Sequence, residues 1–287
     1  MYIFAILNIK IMIERYEHAK TQTYVIADPH GNFTYLESNI IKHLSNCIII
    51  IAGDIGLGFY DKKYYENVFE QINNTFIEKH IYCYLIRGNH DDPKYFKEHI
   101  INFSNVKTVD DYSMISIGEE NILCVGGGIS IDRRVRINND NKKLHNNIIF
   151  MKEYDKNITD EEIFEKTPKT YWADENVIFD ENKLNEIIDN NININYVISH
   201  TSPNFVWKQG FNEIMYWINN DENLEKDLNI ERGNLTNIYN KLIELKQIPK
   251  KWIYGHFHDH NVEKYENTEF IALQNCDFKF DCYCLII

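Results

Sequence analysis

The chain has 287 residues, 44% of them hydrophobic and 25% charged, the profile of a soluble globular protein. That length sits near the upper limit for one hydrophobic core, so a single domain spanning 1–287 is expected, with an N-terminal extension over about 1–20 and a polar insertion or cap over about 133–195. Forty-three acidic residues against 30 basic give a formal charge of -13, which disfavours nucleic acid and anionic lipid as partners and leaves any phosphate-bearing substrate to local positive groups.

In chain order, Met1 to Ile13 is apolar but carries Lys10, lacks a basic lead-in and offers no small-residue cleavage site, so neither a signal peptide nor a membrane span of about 20 apolar residues is expected. Residues 1 to about 20 read as an extra strand or helix laid against the domain. Thr23 to Ala27 reads as a strand and Phe33 to Leu44 as a helix, with Leu36, Ile40 and Leu44 recurring every four residues. Cys47 to Ala52 is a continuous apolar run, the signature of a parallel strand buried on both faces. Val68, Phe69, Ile72, Phe76 and Ile77 mark a second helix, and Tyr82 to Ile86 makes a third strand, completing β-α-β-α-β.

Met114 to Ile117 and Ile122 to Val125 read as a hairpin leading to Gly126-Gly127-Gly128, a close-packing feature rather than a phosphate loop because no Lys-Ser/Thr follows it. The polar, Asn-rich stretch 133–195 runs into a strand, Tyr196 to Ser199. Further on, Leu235, Ile238, Leu242 and Leu245 define a helix with Asn234 as its N-cap. Trp252 to Tyr254, Glu269 to Leu273 and Cys282 to Ile287 read as closing strands. The six cysteines, at 47, 83, 124, 276, 282 and 284, show no C-x-x-C pairing and read as reduced core residues of a cytoplasmic protein.

The chemistry gathers just beyond strand ends: Asp28-Pro29-His30-Gly31, Gly53-Asp54, Gly88-Asn89-His90-Asp91, His200, and Gly255-His256-Phe257-His258. In an open α/β sheet the C-terminal strand edge is where ligands bind. Any one of these residues alone is weak evidence; the set, in one order, is not. Asp28, His30, Asp54, Asn89, His200, His256 and His258 supply carboxylate oxygens, an amide oxygen and imidazole nitrogens, a mixture suited to Mn, Fe or Zn. Seven ligands exceed what one such ion takes but fit two if a carboxylate bridges them, with Asp54 the natural bridge.

The series D-x-H, G-D, G-N-H-D, an isolated His and G-H-x-H resembles the calcineurin-like metallophosphoesterase superfamily across Tyr24 to about Phe280. The resemblance implies a four-layer α-β-β-α sandwich with two central mixed β-sheets. It implies one metal ion on Asp28, His30, Asp54 and His258, a second on Asp54, Asn89, His200 and His256, His90 as general acid, and Asp91 as an aid to its orientation. A hydroxide shared by the two ions would then attack phosphorus in line with the leaving group, with no covalent intermediate. The phosphoprotein phosphatases of that superfamily extend the second motif to G-D-x-x-D-R-G; here it reads Gly53-Asp54-Ile55-Gly56-Leu57-Gly58, which disfavours a phosphoprotein substrate. Gly127-Gly128-Ile129-Ser130-Ile131-Asp132-Arg133 and Tyr171-Trp172-Ala173-Asp174-Glu175 look instead like a bacterial and phage-type group of phosphoesterases.

Among Arg133, Arg134 and Arg136, Arg133 is the expected phosphate clamp, by bidentate guanidinium pairing, with Arg87 bracing its loop or also reaching the phosphate. The expected activity is hydrolysis of a phosphate monoester or diester of a small molecule or nucleotide with two divalent ions, manganese first. A serine/threonine phosphoprotein phosphatase and a non-catalytic metal-binding scaffold are the alternatives.

Overall fold

The structure, a computed structural model, describes residues 14–190, 192–206, 211–275 and 283–285. Its strands are β1 (Arg15–His18), β2 (Gln22–Ile26), β3 (Cys47–Ala52), β4 (Ile81–Ile86), β5 (Val106–Thr108), β6 (Met114–Ile117), β7 (Glu120–Val125), β8 (Tyr196–Ser199), β9 (Lys251–Tyr254), β10 (Asn261–Tyr265), β11 (Thr268–Ala272) and β12 (Tyr283–Leu285). They form a five-stranded sheet in the order β12-β2-β3-β4-β5 and a seven-stranded sheet in the order β1-β6-β7-β8-β9-β11-β10. Both are mixed. β12 runs antiparallel to its parallel neighbours in the first, and the β6-β7 and β10-β11 hairpins interrupt the second.

Successive strand residues point to opposite faces, and the apolar clusters sort accordingly. Cys47, Ile49 and Ile51 face the helix Lys62–Lys79, which buries Tyr65, Phe69, Ile72 and Phe76 there. Ile48, Ile50 and Ile86 from the smaller sheet share a middle layer with Ile115, Ile122, Ile198 and Ile253 from the larger. On the far side, Val125, Val197, Trp252 and Phe270 pack against Leu235, Ile238 and Leu242 of the helix Leu224–Glu244. The result is helix, sheet, sheet, helix. It explains why β3 reads as unbroken hydrophobicity: one face meets helices and the other meets a second sheet.

Several local expectations change. The segment after Phe33 is not one regular helix but a turn of α (Phe33–Tyr35), one of π (Leu36–Ile40) and one of 3₁₀ (Ile41–His43). Leu36 and Ile41 are both buried, a spacing of five that a π turn accommodates and a regular α-helix does not. The helix expected to start at Asn234 begins at Leu224 instead, with Asn223 at the N-cap, and buries Leu224, Leu228 and Glu231 along the same stripe. Asn234 therefore sits mid-helix, where its Nδ2 donates to the Val177 carbonyl at 3.0 Å.

Of the polar stretch 133–195, the helix Arg133–Tyr154 buries none of its residues, whereas the helix Glu181–Asp189 sends Leu184 and Ile187 into the core of the larger sheet. In the N-terminal extension, β1 joins the larger sheet beside β6; residues 1–13 lie outside the described residues, as do Cys276 and Cys282. Cys47, Cys83 and Cys124 are buried and free. Among the described residues, no helix is long and apolar enough to cross a membrane.

Candidate active site and metal centre

Parallel neighbours β2, β3 and β4 place Asp28, Asp54 and Asn89 two or three residues past their C-terminal ends, while β8 and β9 deliver His200, His256 and His258 from the other sheet. Both sheets thus open onto one cleft. The loops are tied to each other by backbone bonds: Asp28 N to Gly53 O at 3.2 Å, His30 N to Asp54 O at 2.8 Å, and Gly255 N to His200 O at 3.0 Å. Five of the seven residues expected as ligands, Asp28, His30, Asp54, His256 and His258, have φ between 46° and 71°. Left-handed backbone costs a non-glycine residue about 1–2 kcal/mol and persists only where the surroundings enforce it. Five of the eleven such non-glycine residues among the described residues thus lie on the cleft floor.

Gly53 shows how tightly that floor is built. Its φ is +89°, and a Cβ there would lie 2.2 Å from His200 Nδ1. Gly53→Ala is expected to cost about 2–4 kcal/mol from overpacking plus backbone strain, read as a lower urea midpoint at unchanged slope.

Asp28, His30, Asp54 and His258 offer four ligand atoms all within 4.8 Å of one another. Here His30 Nε2 and His258 Nε2 are 3.0 Å apart, and His258 Nε2 is 3.8 Å from Asp28 Oδ1. A second group adjoins it: His200 Nε2 lies 3.2 Å from Asp54 Oδ1 and 2.9 Å from Asn89 Oδ1, which is also 2.9 Å from His256 Nδ1. Asp54 belongs to both groups, with Oδ2 3.9 Å from His30 Nε2.

The donor chemistry of the second group fits a cation. His200 Nδ1 is 2.8 Å from the Ala52 carbonyl, which can only accept, so Nδ1 carries a proton and Nε2 is left facing two oxygens. Burial alone would disfavour a charged His200, yet the Asp54 and Asp28 carboxylates outweigh it and push the imidazole up to about 10. The two carboxylates favour positive charge at that point. Asp54, though fully buried, is held well below the usual carboxylate range by His200 and His90, while burial raises Asp28 well above it. Burial and the neighbouring His200 drive His256 well below the ordinary imidazole value, which suits a neutral ligand.

The remaining site candidates separate. His90 lies on the cleft with Nε2 3.8 Å from Asp54 Oδ2, and its backbone N–H donates to Asp54 Oδ1 at 2.8 Å. Asp91, expected to orient it, instead turns beneath the floor: its carboxylate accepts the backbone N–H groups of Ile55, Gly56, Leu57 and Gly88 at 2.8–3.2 Å. It fastens the Asp54 loop to the Asn89 turn. Arg136 reaches the His90 ring with Nη2 2.6 Å from Nε2, and the His30 and Phe59 rings pack edge-on to it.

Arg133, expected as the clamp, is turned away and held by Asp221 at 2.6 Å and Asp227 at 2.8 Å. Arg87 is spent on Asp111 at 3.0 Å and on the carbonyls of Asp174, Glu175 and Asn176 at 2.7–3.3 Å, so it braces a loop and leaves the cleft to others. The cleft, about 340 Å³, is lined by Asp54, Asn89, His90 and Arg136, with Trp217 and Phe257 as its aromatic wall. Arg136 follows Arg133 by one helical turn, so periodicity puts both on one face. What decides between them is the acidic pair Asp221 and Asp227, some 90 residues away in sequence.

Two mixed sheets with oxygen and nitrogen ligands converging at their shared C-terminal edge are the architecture of a metal-dependent phosphoesterase. The chain belongs to the calcineurin-like phosphoesterase family, whose sequence model matches residues 21–281, and it is accordingly a phosphoric ester hydrolase. No curated protein matches the sequence. Similar solved structures include phosphopantetheinyl hydrolase from Mycobacterium tuberculosis, at 11% identity and a TM-score of 0.45, over 96% of this chain and 97% of that one. TT1561 of Thermus thermophilus matches at 12% identity and a TM-score of 0.48 over 90% of each chain. A putative 5'-nucleotidase from Staphylococcus aureus matches at 13% identity and a TM-score of 0.42, over 89% of this chain and 48% of that one.

Proposed function

We propose that this phosphoesterase is a dinuclear hydrolase of small phosphate esters, with Asp28, His30, Asp54 and His258 holding one divalent ion and Asp54, Asn89, His200 and His256 the other. The observation carrying this reading is the division of Asp54, one oxygen directed to each ligand group. The ligand mixture favours manganese, with iron or zinc compatible. When bound, two such ions neutralise the non-bridging phosphoryl oxygens and supply a nucleophilic water at neutral pH.

The chain's own residues then bind and protonate. Burial and the Arg136 charge hold His90 down to about 4, against the pull of Asp54. Arg136 donates to Nε2, so that nitrogen carries no proton while the contact lasts. A phosphoryl oxygen is a stronger acceptor and draws the guanidinium away; Nε2 then takes up a proton from solvent and passes it to the leaving alkoxide. Trp217, Phe257 and Ile131 seat the leaving group.

A cleft of about 340 Å³ is sized for a small molecule or nucleotide, and the net charge of -13 disfavours polymeric nucleic acid. A phosphoprotein substrate fits less well, since the D-R-G extension is absent. The buried, free cysteines accord with a cytoplasmic location.

The test is hydrolysis of p-nitrophenyl phosphate and bis-p-nitrophenyl phosphate with and without Mn²⁺, in wild type, Arg136→Met and Arg133→Met. Arg136→Met is expected to lower kcat/KM about 10²-fold. Arg133→Met should leave turnover within a few-fold but lose about 1–3 kcal/mol of stability, because it removes charged hydrogen bonds. No metal-dependent turnover on either ester, or equal kinetic losses in the two variants, would overturn the assignment.

A further inference from the structure

Two motifs are left without a role by the metal ligands and His90: Gly128-Ile129-Ser130 and Ala173-Asp174-Glu175. They meet behind Asn89. Glu175 is buried, and its Oε1 accepts the Ser130 backbone N–H at 2.7 Å while its Oε2 accepts the Ser130 hydroxyl proton at 2.7 Å. With that proton committed, Ser130 Oγ is left as an acceptor, and Asn89 Nδ2 donates to it at 3.0 Å. The amide's nitrogen end is therefore occupied, and Oδ1 is the end turned to His200 and His256.

The chain of contacts is itself anchored. Gly128 N–H donates to the Glu175 carbonyl at 2.9 Å, and Arg87 Nη1 donates to the same oxygen at 2.7 Å. A Cβ at Gly128 would lie 2.9 Å from His200 Cδ2 and 3.2 Å from Asn89 Oδ1, so only glycine lets this strand end approach both ligands.

Resting on the dinuclear reading above, we infer that Glu175 and Ser130 are positioning residues that fix which end of the Asn89 amide faces the metal centre. An asparagine has one end that ligates a cation and one that repels it, and a flip of the amide exchanges them. Ordered outer partners of this kind are worth about 10–100-fold in metal affinity. The device has a directional signature. In Glu175→Gln the new amide NH₂ can donate to Ser130 Oγ, releasing the Ser130 proton toward Asn89 and turning the Asn89 NH₂ group into the site. An isosteric change should then do as much harm as a deletion.

The experiment is titration of apo-protein with Mn²⁺, followed by calorimetry and by electron paramagnetic resonance, with circular dichroism as a check on folding. Wild type should bind two ions. Ser130→Ala and Glu175→Gln should each weaken one of them about 10–100-fold while the other, on Asp28, His30 and His258, stays within a few-fold. Ser130→Thr should restore both. In an Asn89→Asp background, Ser130→Ala should change little, because a carboxylate has no wrong end. Wild-type affinity for both ions in Ser130→Ala and Glu175→Gln would overturn the inference, as would an undiminished effect in the Asn89→Asp background. Should Ser130→Ala misfold, Glu175→Gln decides alone. Failure of wild type to bind two ions would overturn the dinuclear reading, and the inference with it.

Discussion

Asp54→Asn is expected to lower kcat/KM for phosphate ester hydrolysis at least about 10³-fold, more than loss of a single preorganised donor costs in other active sites. The reason is the position of this side chain between the two ligand groups: Oδ1 is 3.2 Å from His200 Nε2, and Oδ2 is 3.9 Å from His30 Nε2 and 3.8 Å from His90 Nε2. Replacing one oxygen by an NH₂ group removes a negative charge from a fully buried point and directs N–H bonds at one of the two groups, whichever rotamer is chosen. Either choice weakens a cation site. Metal analysis should find fewer than two ions per chain in the variant, with near-UV circular dichroism unchanged. A variant that kept both ions and its rate would remove Asp54 from the bridging position.

His90→Asn is expected to lose activity according to the leaving group. General acid catalysis contributes about 10²–10⁴-fold where a departing oxygen needs a proton. An alkyl phosphate such as glycerol phosphate should therefore lose about that much. p-Nitrophenyl phosphate releases a stable phenolate and should lose less than about 10-fold. His90 lines the cleft outside both ligand groups, its Nε2 2.6 Å from Arg136 Nη2 and 3.8 Å from Asp54 Oδ2. Equal losses on the two esters would make His90 a phosphate-binding group instead of an acid.

Much of the fold was legible because a sandwich of two sheets between helices leaves simple marks. Cys47 to Ala52 is apolar throughout since both faces are covered, and the two strands of the Met114 to Val125 hairpin are joined by a polar turn. The convergence of Asp28, His30, Asp54, Asn89, His200, His256 and His258 was legible for a related reason: each follows a strand, and parallel neighbours bring their C-terminal ends together. What escaped depends on contacts distant in sequence. The start of the helix Leu224–Glu244 was hidden by its charges, because Glu231 occupies a buried position on the apolar stripe. Arg133 and Arg136 share a helix face and both pair with carboxylates; the packing of Asp221 and Asp227 draws Arg133 off the cleft, whereas Arg136, paired with Asp132 through Nε, keeps Nη2 on His90. Asp91 follows His90 directly, yet the loop after β3 claims its carboxylate with three N–H groups from Ile55 to Leu57. Ser130 and Glu175 were visible as motifs, but their bond to Asn89 spans 41 residues from one side and 45 on to the other.

Crystals of the protein grown with Mn²⁺ and measured at its absorption edge give the most direct test of the shared Asp54 carboxylate. The account predicts two anomalous peaks per chain, both in contact with Asp54, one beside His30 and His258 and the other beside Asn89, His200 and His256. A single peak, or peaks remote from Asp54, would contradict it.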